Sequence, residues 1–236
     1  MAPSVRVLSH TPDPERTVAL AARLCYSARG VGDLERDLGP GEVDALLRKL
    51  VGMGHLSALE HASFTFGVEA ISRACSHQLV RHRLASYSQQ SQRYVRMERV
   101  EAVVPPSVDG HPDLGPRFRE ALGALWGLYR RMVDAGIPAE DARYLLPNAC
   151  ETKIVVTMNA RELRHFFALR LCRRAQWEIR DLARAMLGAA LPLAPALFRG
   201  AGPGCLRGPC PEGAYSCGRA DEVRAELEHL LAPEGP

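Results

Sequence analysis

The fourteen residues from Arg81 to Tyr94, RHRLASYSQQSQRY, gather Arg81, His82, Arg83 and Arg93 with Ser86, Ser88, Gln89, Gln90, Ser91 and Gln92. No acidic residue occurs from Ala70 to Met97, so these cations have no local carboxylate and call for an anion, another subunit or water. Guanidinium groups stay charged at any working pH and grip phosphate through paired N–H donors, while amides and hydroxyls read the edge of a base. The stretch has the composition of a phosphate and base pocket. If Tyr87 to Tyr94 is extended, Gln89, Ser91 and Arg93 share one face at a period of two. The plainer alternative is a solvated polar loop. Arg81-His82-Arg83, expected at the end of a helix, offers a second anion site, although the helix dipole favours cations there for structural reasons as well.

A third cluster is Asn159, Arg161, His165 and Arg170. On a helix of about 3.6 residues per turn, Arg161 and His165 share a face and Arg170 lies roughly opposite Arg161. Either one of them is structural or the helix serves two pockets, as it would in an oligomer with shared sites. His55 and His61 bracket the segment HLSALEH, in which Ser57 and Glu60 have capping-box spacing. Two histidines without a third ligand do not make a zinc site. Cys205, Cys210 and Cys217 are close enough in sequence to share a zinc, with His229 as a speculative fourth ligand; a free-thiol loop or a disulfide are the alternatives. Ser91 has no base adjacent in sequence, so it reads as a positioning hydroxyl and not a nucleophile.

Periodicity supplies the elements that must hold these groups. Val5 to Leu8 predicts a strand, Pro12 to Tyr26 a helix, and Gly30 to Gly41 a loop. Glu42 to Met53 is an amphipathic helix stopped by Gly54, and Ala62 to Ala70 alternates Phe64, Phe66 and Val68 as a half-buried strand. Ser72 is expected to cap a helix that runs through Arg83. Val100 to Val104 predicts a strand ended by Pro105-Pro106, and Asp113 to Ala135 the longest helix, closed by Gly136. Pro138 opens a short helix carrying Arg143, and Thr152 to Thr157 is a β-branched strand. Asn159 caps the helix bearing Arg161, His165 and Arg170, and Ala175 to Leu191 follows as another helix. A Gly, Pro and Cys tail from Arg199 to Gly218 precedes a terminal helix, Asp221 to Leu231. Strands separated by long helices indicate an α/β (α+β) domain.

Composition narrows the classes. A chain of 236 residues with 47% hydrophobic content can bury one large core, and a single domain is expected. A net charge of +3 is small for a protein living on nucleic acid, and the arginine stretch is interleaved only with Tyr87 and Tyr94. A nucleic-acid-binding module is therefore the competing reading, with no nucleic acid and no membrane as the expectation. No basic segment followed by an apolar run opens the chain and no apolar stretch of about eighteen residues occurs, so a cytoplasmic protein is expected. Cys25, Cys75, Cys150 and Cys172 sit singly and read as free thiols of a reduced compartment. No strand is followed by G-x-G-x-x-G, so a Rossmann dinucleotide site is excluded.

The blocks together resemble the flavin-dependent thymidylate synthases. The resemblance rests on Arg81-His82-Arg83, seven intervening residues and Ser91, continued by Gln92-Arg93-Tyr94. It is supported by His55-x-Ser57-x-Leu59-Glu60-His61, Ala142-Arg143-x-Leu145-Leu146-Pro147, and Asn159-x-Arg161 followed by His165, Arg170 and Gln176-Trp177-Glu178-Ile179. It implies methylation of dUMP to dTMP, with 5,10-methylenetetrahydrofolate as carbon donor and NADPH as reductant through FAD. It also implies a central, mainly antiparallel sheet with flanking helices, and a homotetramer whose active sites combine chains. Residues 1–198 would be the catalytic domain and 199–236 a tail outside it. By the same resemblance Ser57, Arg81, His82, Arg83, Gln89, Asn159, Arg161 and His165 would hold FAD. Gln78, Arg81, Gln89, Ser91, Arg93, Arg143 and Arg170 would hold dUMP. Arg170 would activate the pyrimidine, favouring ionisation at N3, and His55 would lie beside the flavin and folate. Gln89 stands where many members carry Glu, and Arg174 where a histidine is common. No cysteine falls among the matched residues, which argues against the covalent cysteine strategy of the unrelated folate-dependent enzymes.

Overall fold

The computed structural model describes residues 2–97 and 101–231, the last three by backbone alone. Strand β1 (Ser4–His10) leads to α1 (Pro14–Leu24), where Asp13 Oδ1 accepts from the Arg16 amide and Pro14 fills the first turn. The predicted loop that follows contains a short helix, α2 (Val31–Asp37). Its one buried residue, Leu34, gives no periodicity to read, and ion pairs Arg29–Asp37 and Arg36–Asp33 lie along it. Helix α3 (Pro40–Met53) ends at Gly54, whose φ of 75° is the left-handed cap that glycine adopts most cheaply.

After a 3₁₀ turn (Ser57–His61) come β2 (Ser63–Ser72) and α4 (Arg73–Leu79), capped as expected by the Ser72 hydroxyl at 3.0 Å from the Cys75 amide. The helix stops at Leu79 and does not reach Arg83. Its last carbonyl is taken by the Tyr87 hydroxyl at 2.9 Å, and the chain turns into β3 (Ala85–Gln89). Arg81-His82-Arg83 thus occupies the connection and not a helical end.

Of the strand predicted over residues 100 to 104, Val100 lies outside the described residues, and Ala102 makes only an isolated bridge to Cys150. Pro105 and Pro106 cannot donate to a ladder, and Pro106 instead opens α5 (Pro106–Asp109). Then follow α6 (Leu114–Asp134), closed near Gly136 at φ 87°, α7 (Ala139–Ala142) and β4 (Glu151–Asn159). The chain ends with α8 (Ala160–Arg170), α9 (Trp177–Ala190), α10 (Pro195–Phe198) and α11 (Ala220–Leu231). The four strands form one antiparallel sheet in the order β1-β2-β4-β3.

The chain divides into two compact units. One comprises the first four residues with 68–81 and 87–155. In it α6 packs on α5 and α7, Tyr129 is buried with its hydroxyl accepting from the Met97 amide at 3.2 Å, and Cys75, Leu79 and Cys150 are sealed from solvent. The other comprises 5–67, 82–86 and 156–236. Its core is aromatic: Phe64 meets Phe198 edge-on at 5.2 Å and Phe198 meets Phe167 at 6.0 Å. Leu163, Phe166 and Phe167 recur on one face of α8, which packs on α9 and the 3₁₀ turn.

Candidate active site

Asn159 closes β4 and opens α8, its Oδ1 accepting from the Glu162 amide at 2.8 Å. In a capping box the Glu162 side chain would turn back to the Asn159 amide. It turns inward instead, so that its Oε1 lies 3.2 Å from His82 Nδ1 with both side chains almost wholly buried. Arg170, at the other end of α8, donates from Nε to His82 Nε2 at 3.1 Å. A guanidinium has no lone pair to offer, so His82 must accept through Nε2 and carry its proton on Nδ1, which donates to Glu162. Burial, the Arg170 charge and His165 hold the His82 imidazole at a pKa of about 4, keeping it neutral. Burial raises the Glu162 carboxyl against the lowering pull of His165.

His165 and Phe166 complete the surroundings of His82, with ring centroids 5.8 and 5.0 Å away. His165 and Arg170 therefore meet around one imidazole despite their angular separation on α8, because the long Arg170 side chain reaches back to it. Arg161, one turn earlier, pairs with Glu60 instead.

That pair also removes the expected capping box at residues 57 to 60. Ser57 is the first residue of the 3₁₀ turn, Leu56 holds the cap position without a side-chain bond, and the Glu60 carboxylate faces Arg161. Ser57, His55 and Arg83 are all exposed. Among the described residues the Arg83 guanidinium has no acceptor.

The other unit carries the remaining predicted positions. Gln89, at the end of β3, donates its amide nitrogen to Ser76 Oγ at 2.9 Å and Thr152 Oγ1 at 3.0 Å, leaving Oε1 for a ligand. The extended face expected through Tyr94 stops here. Ser91 accepts from the Arg93 amide at 3.2 Å and its carbonyl takes the Val95 amide at 3.0 Å, folding residues 91–95 into a turn. Arg93 reaches Glu140 Oε2 at 3.2 Å, and Arg143 Nε donates to the Glu140 carbonyl at 3.1 Å. Gln78 is half-buried on α4 and Arg81 is exposed just beyond it. Sequence reasoning passed over Arg73, a half-buried guanidinium that donates to the Gln90 carbonyl at 3.0 Å. Burial and the Arg143 charge lower its pKa, and its Nε lies buried with no acceptor among the described residues. Arg73 and Arg143 thus form a cationic neighbourhood that an anion would relieve.

The tail is built onto the end of α8. Arg170, Arg173 and Arg174 line a cavity of about 500 Å³ together with Cys172, Cys205, Cys210 and Cys217. Arg174 donates to the Tyr215 carbonyl and stacks its guanidinium 5.7 Å from the Tyr215 ring centre, which gives it a structural role in place of the family histidine. Burial pushes the Cys205 thiol up, and the thiols of Cys210, Cys172 and Cys217 act in the same direction. The described cysteines are all free.

A family profile described as thymidylate synthase complementing protein matches residues 6–196. The flavin-dependent thymidylate synthase of Geobacter sulfurreducens is 60% identical over 222 residues, covering 93% of this chain and 96% of its own. That of Clostridium tetani is 47% identical over 240 residues, covering 95% of this chain and 96% of its own. Among solved structures, the UMP/dUMP methylase PolB of Streptomyces cacaoi bound with 5-Br dUMP superposes with a TM-score of 0.72 at 27% identity, over 85% of this chain and 96% of that one. With a profile spanning most of its length and relatives this similar end to end, the chain belongs to the family of thymidylate synthase complementing proteins, the flavin-dependent thymidylate synthases.

Proposed function

We propose that this enzyme methylates dUMP to dTMP, taking the one-carbon unit from 5,10-methylenetetrahydrofolate and reducing equivalents from NADPH, and releasing tetrahydrofolate. FAD, when bound, supplies the two-electron chemistry that turns a methylene into a methyl group. The donor set suits such a group: Arg81 and Arg83 are exposed guanidiniums without carboxylate partners among the described residues, the character asked of phosphate ligands. Ser57, His82, Gln89, Asn159, Arg161 and His165 complete the FAD set in this reading. Of these, His82 acts from behind, since it is buried.

For dUMP, Arg93, Arg143 and Arg81 take the phosphate, while Gln78, Ser91 and the free Oε1 of Gln89 address the sugar and base. Arg170 lies beside the pyrimidine, where a fixed positive charge favours ionisation at N3 and stabilises charge as C5 becomes nucleophilic. The observation that carries the reading is the Arg170–His82 hydrogen bond: neutral His82 restrains Arg170 without cancelling its charge. His55 stands beside flavin and folate. The working form is a homotetramer with sites shared between chains, acting in the cytoplasm. No helix among the described residues is long and apolar enough to cross a membrane.

Arg170→Ala is expected to abolish dTMP formation, by a factor of about 10³ or more, while retaining FAD absorbance. Full activity in that variant would refute the role given to Arg170.

A further inference from the structure

The tail cysteines looked like an incomplete ligand set because the fourth ligand is distant in sequence. Cys172, two residues past Arg170, lines the same cavity as Cys205, Cys210 and Cys217. We propose that these four thiols bind one zinc ion, which clamps the tail to the connection between α8 and α9.

Four thiolates make a closed tetrahedral site, the kind that holds structure and leaves no position for a substrate. Binding forms four Zn–S bonds and releases the four thiol protons to solvent. The resulting charge of minus two is met by the arginines on the cavity wall, Arg170, Arg173 and Arg174. The backbone is drawn together as such a site requires. A Cβ on Gly204 would fall 2.7 Å from the Pro211 ring, so only glycine lets the Cys205 segment approach the Cys210 segment this closely. Arg224 on α11 holds the Cys205 carbonyl at 2.9 Å and the Gly208 carbonyl at 3.1 Å.

As placed, no three His, Cys, Asp or Glu side chains among the described residues form a metal-binding group. Ligation therefore requires the thiols to turn inward, a change of rotamer that leaves the backbone frame in place. A free-thiol loop explains neither the glycine-enforced approach nor the convergence of a cysteine from outside the tail.

Elemental analysis of the full-length chain, purified without chelator, tests the proposal. It should carry about one zinc per chain, released as a mercurial titrates four thiols. Cys172→Ser and Cys210→Ser should each lower zinc content at least tenfold, while Cys25→Ser, at an exposed cysteine remote from the tail, should retain it. Wild-type chain that contains less than a tenth of an equivalent, and takes up none from added zinc under reducing conditions, would overturn the proposal whatever the variants do. Full zinc in Cys172→Ser would overturn it equally. Flavin content read on the same samples separates loss of metal from any failure of the catalytic assignment.

Discussion

At the scale of single residues, the informative side chain is Glu162. In sequence it is an ordinary first-turn carboxylate three residues after an N-cap Asn, the place where a capping box would put it. In the structure its side chain leaves the helix and fixes the proton of His82 on Nδ1, which leaves Nε2 as an acceptor for Arg170. Removing that acceptor in Glu162→Ala lets His82 adopt the other tautomer, whose Nε2–H would oppose the Arg170 N–H. A fall in kcat of about tenfold with FAD retained is expected, with partial recovery in Glu162→Gln, whose carbonyl can still accept. Equal kcat in the alanine and wild-type enzymes would remove Glu162 from the account.

The same cluster makes a stability prediction. An unfolded His takes its proton near 6.5, whereas folded His82 resists until about 4, so between these values the unfolded chain binds more protons and stability falls as pH falls. The contribution is at most about 3 kcal/mol. The raised Glu162 carboxyl titrates with the opposite sign, and Arg170 and His165 also face the imidazole, so the net slope is shallower. Denaturation followed from pH 7 to 4 should show a steeper loss in wild type than in His82→Asn.

At the scale of elements, what could be read from sequence was what repeats. The sheet strands, α3, α6, α8 and α9 announce themselves by apolar period, and Ser72, Asn159 and Gly54 do the capping and stopping their types suggest. The failures came where a long-range partner overrode a local pattern. Helix α4 stops short because Tyr87 takes its last carbonyl, the box at Ser57 and Glu60 loses its carboxylate to Arg161, and the face through Ser91 is broken by a turn. Sequence placed most of the candidate site but omitted Glu162, Arg73 and Cys172, whose meaning depends on contacts 80, 17 and more positions away.

Arg164 belongs at this scale as well. Nearly buried on α8, it donates to the Leu197 carbonyl at 2.6 Å and the Arg199 carbonyl at 3.4 Å, tying α8 to the segment around α10. Burial and Arg207 lower its pKa to about 10, so it remains charged at neutral pH. Arg164→Ala should cost about 2–3 kcal/mol in chemical denaturation, since two carbonyls lose a charged donor. A loss below about half a kcal/mol would show that water replaces it.

At the scale of the whole molecule, the acid-free arginine stretch divides its work. Arg81, Gln89, Ser91 and Arg93 sit in one compact unit, while His82 and Arg83 sit in the other with Arg161, His165 and Arg170. A mild net charge with cations concentrated in these clusters suits small anionic ligands better than a polymer. The competing nucleic-acid reading would require a broad basic face and steep salt dependence. The most direct test supplies the purified chain with dUMP, NADPH and 5,10-methylenetetrahydrofolate deuterated in its methylene group, with and without FAD. The account predicts yellow protein and dTMP whose methyl group carries the deuterium only when flavin is present; colourless protein that takes up no FAD, or dTMP formed equally without it, would contradict it.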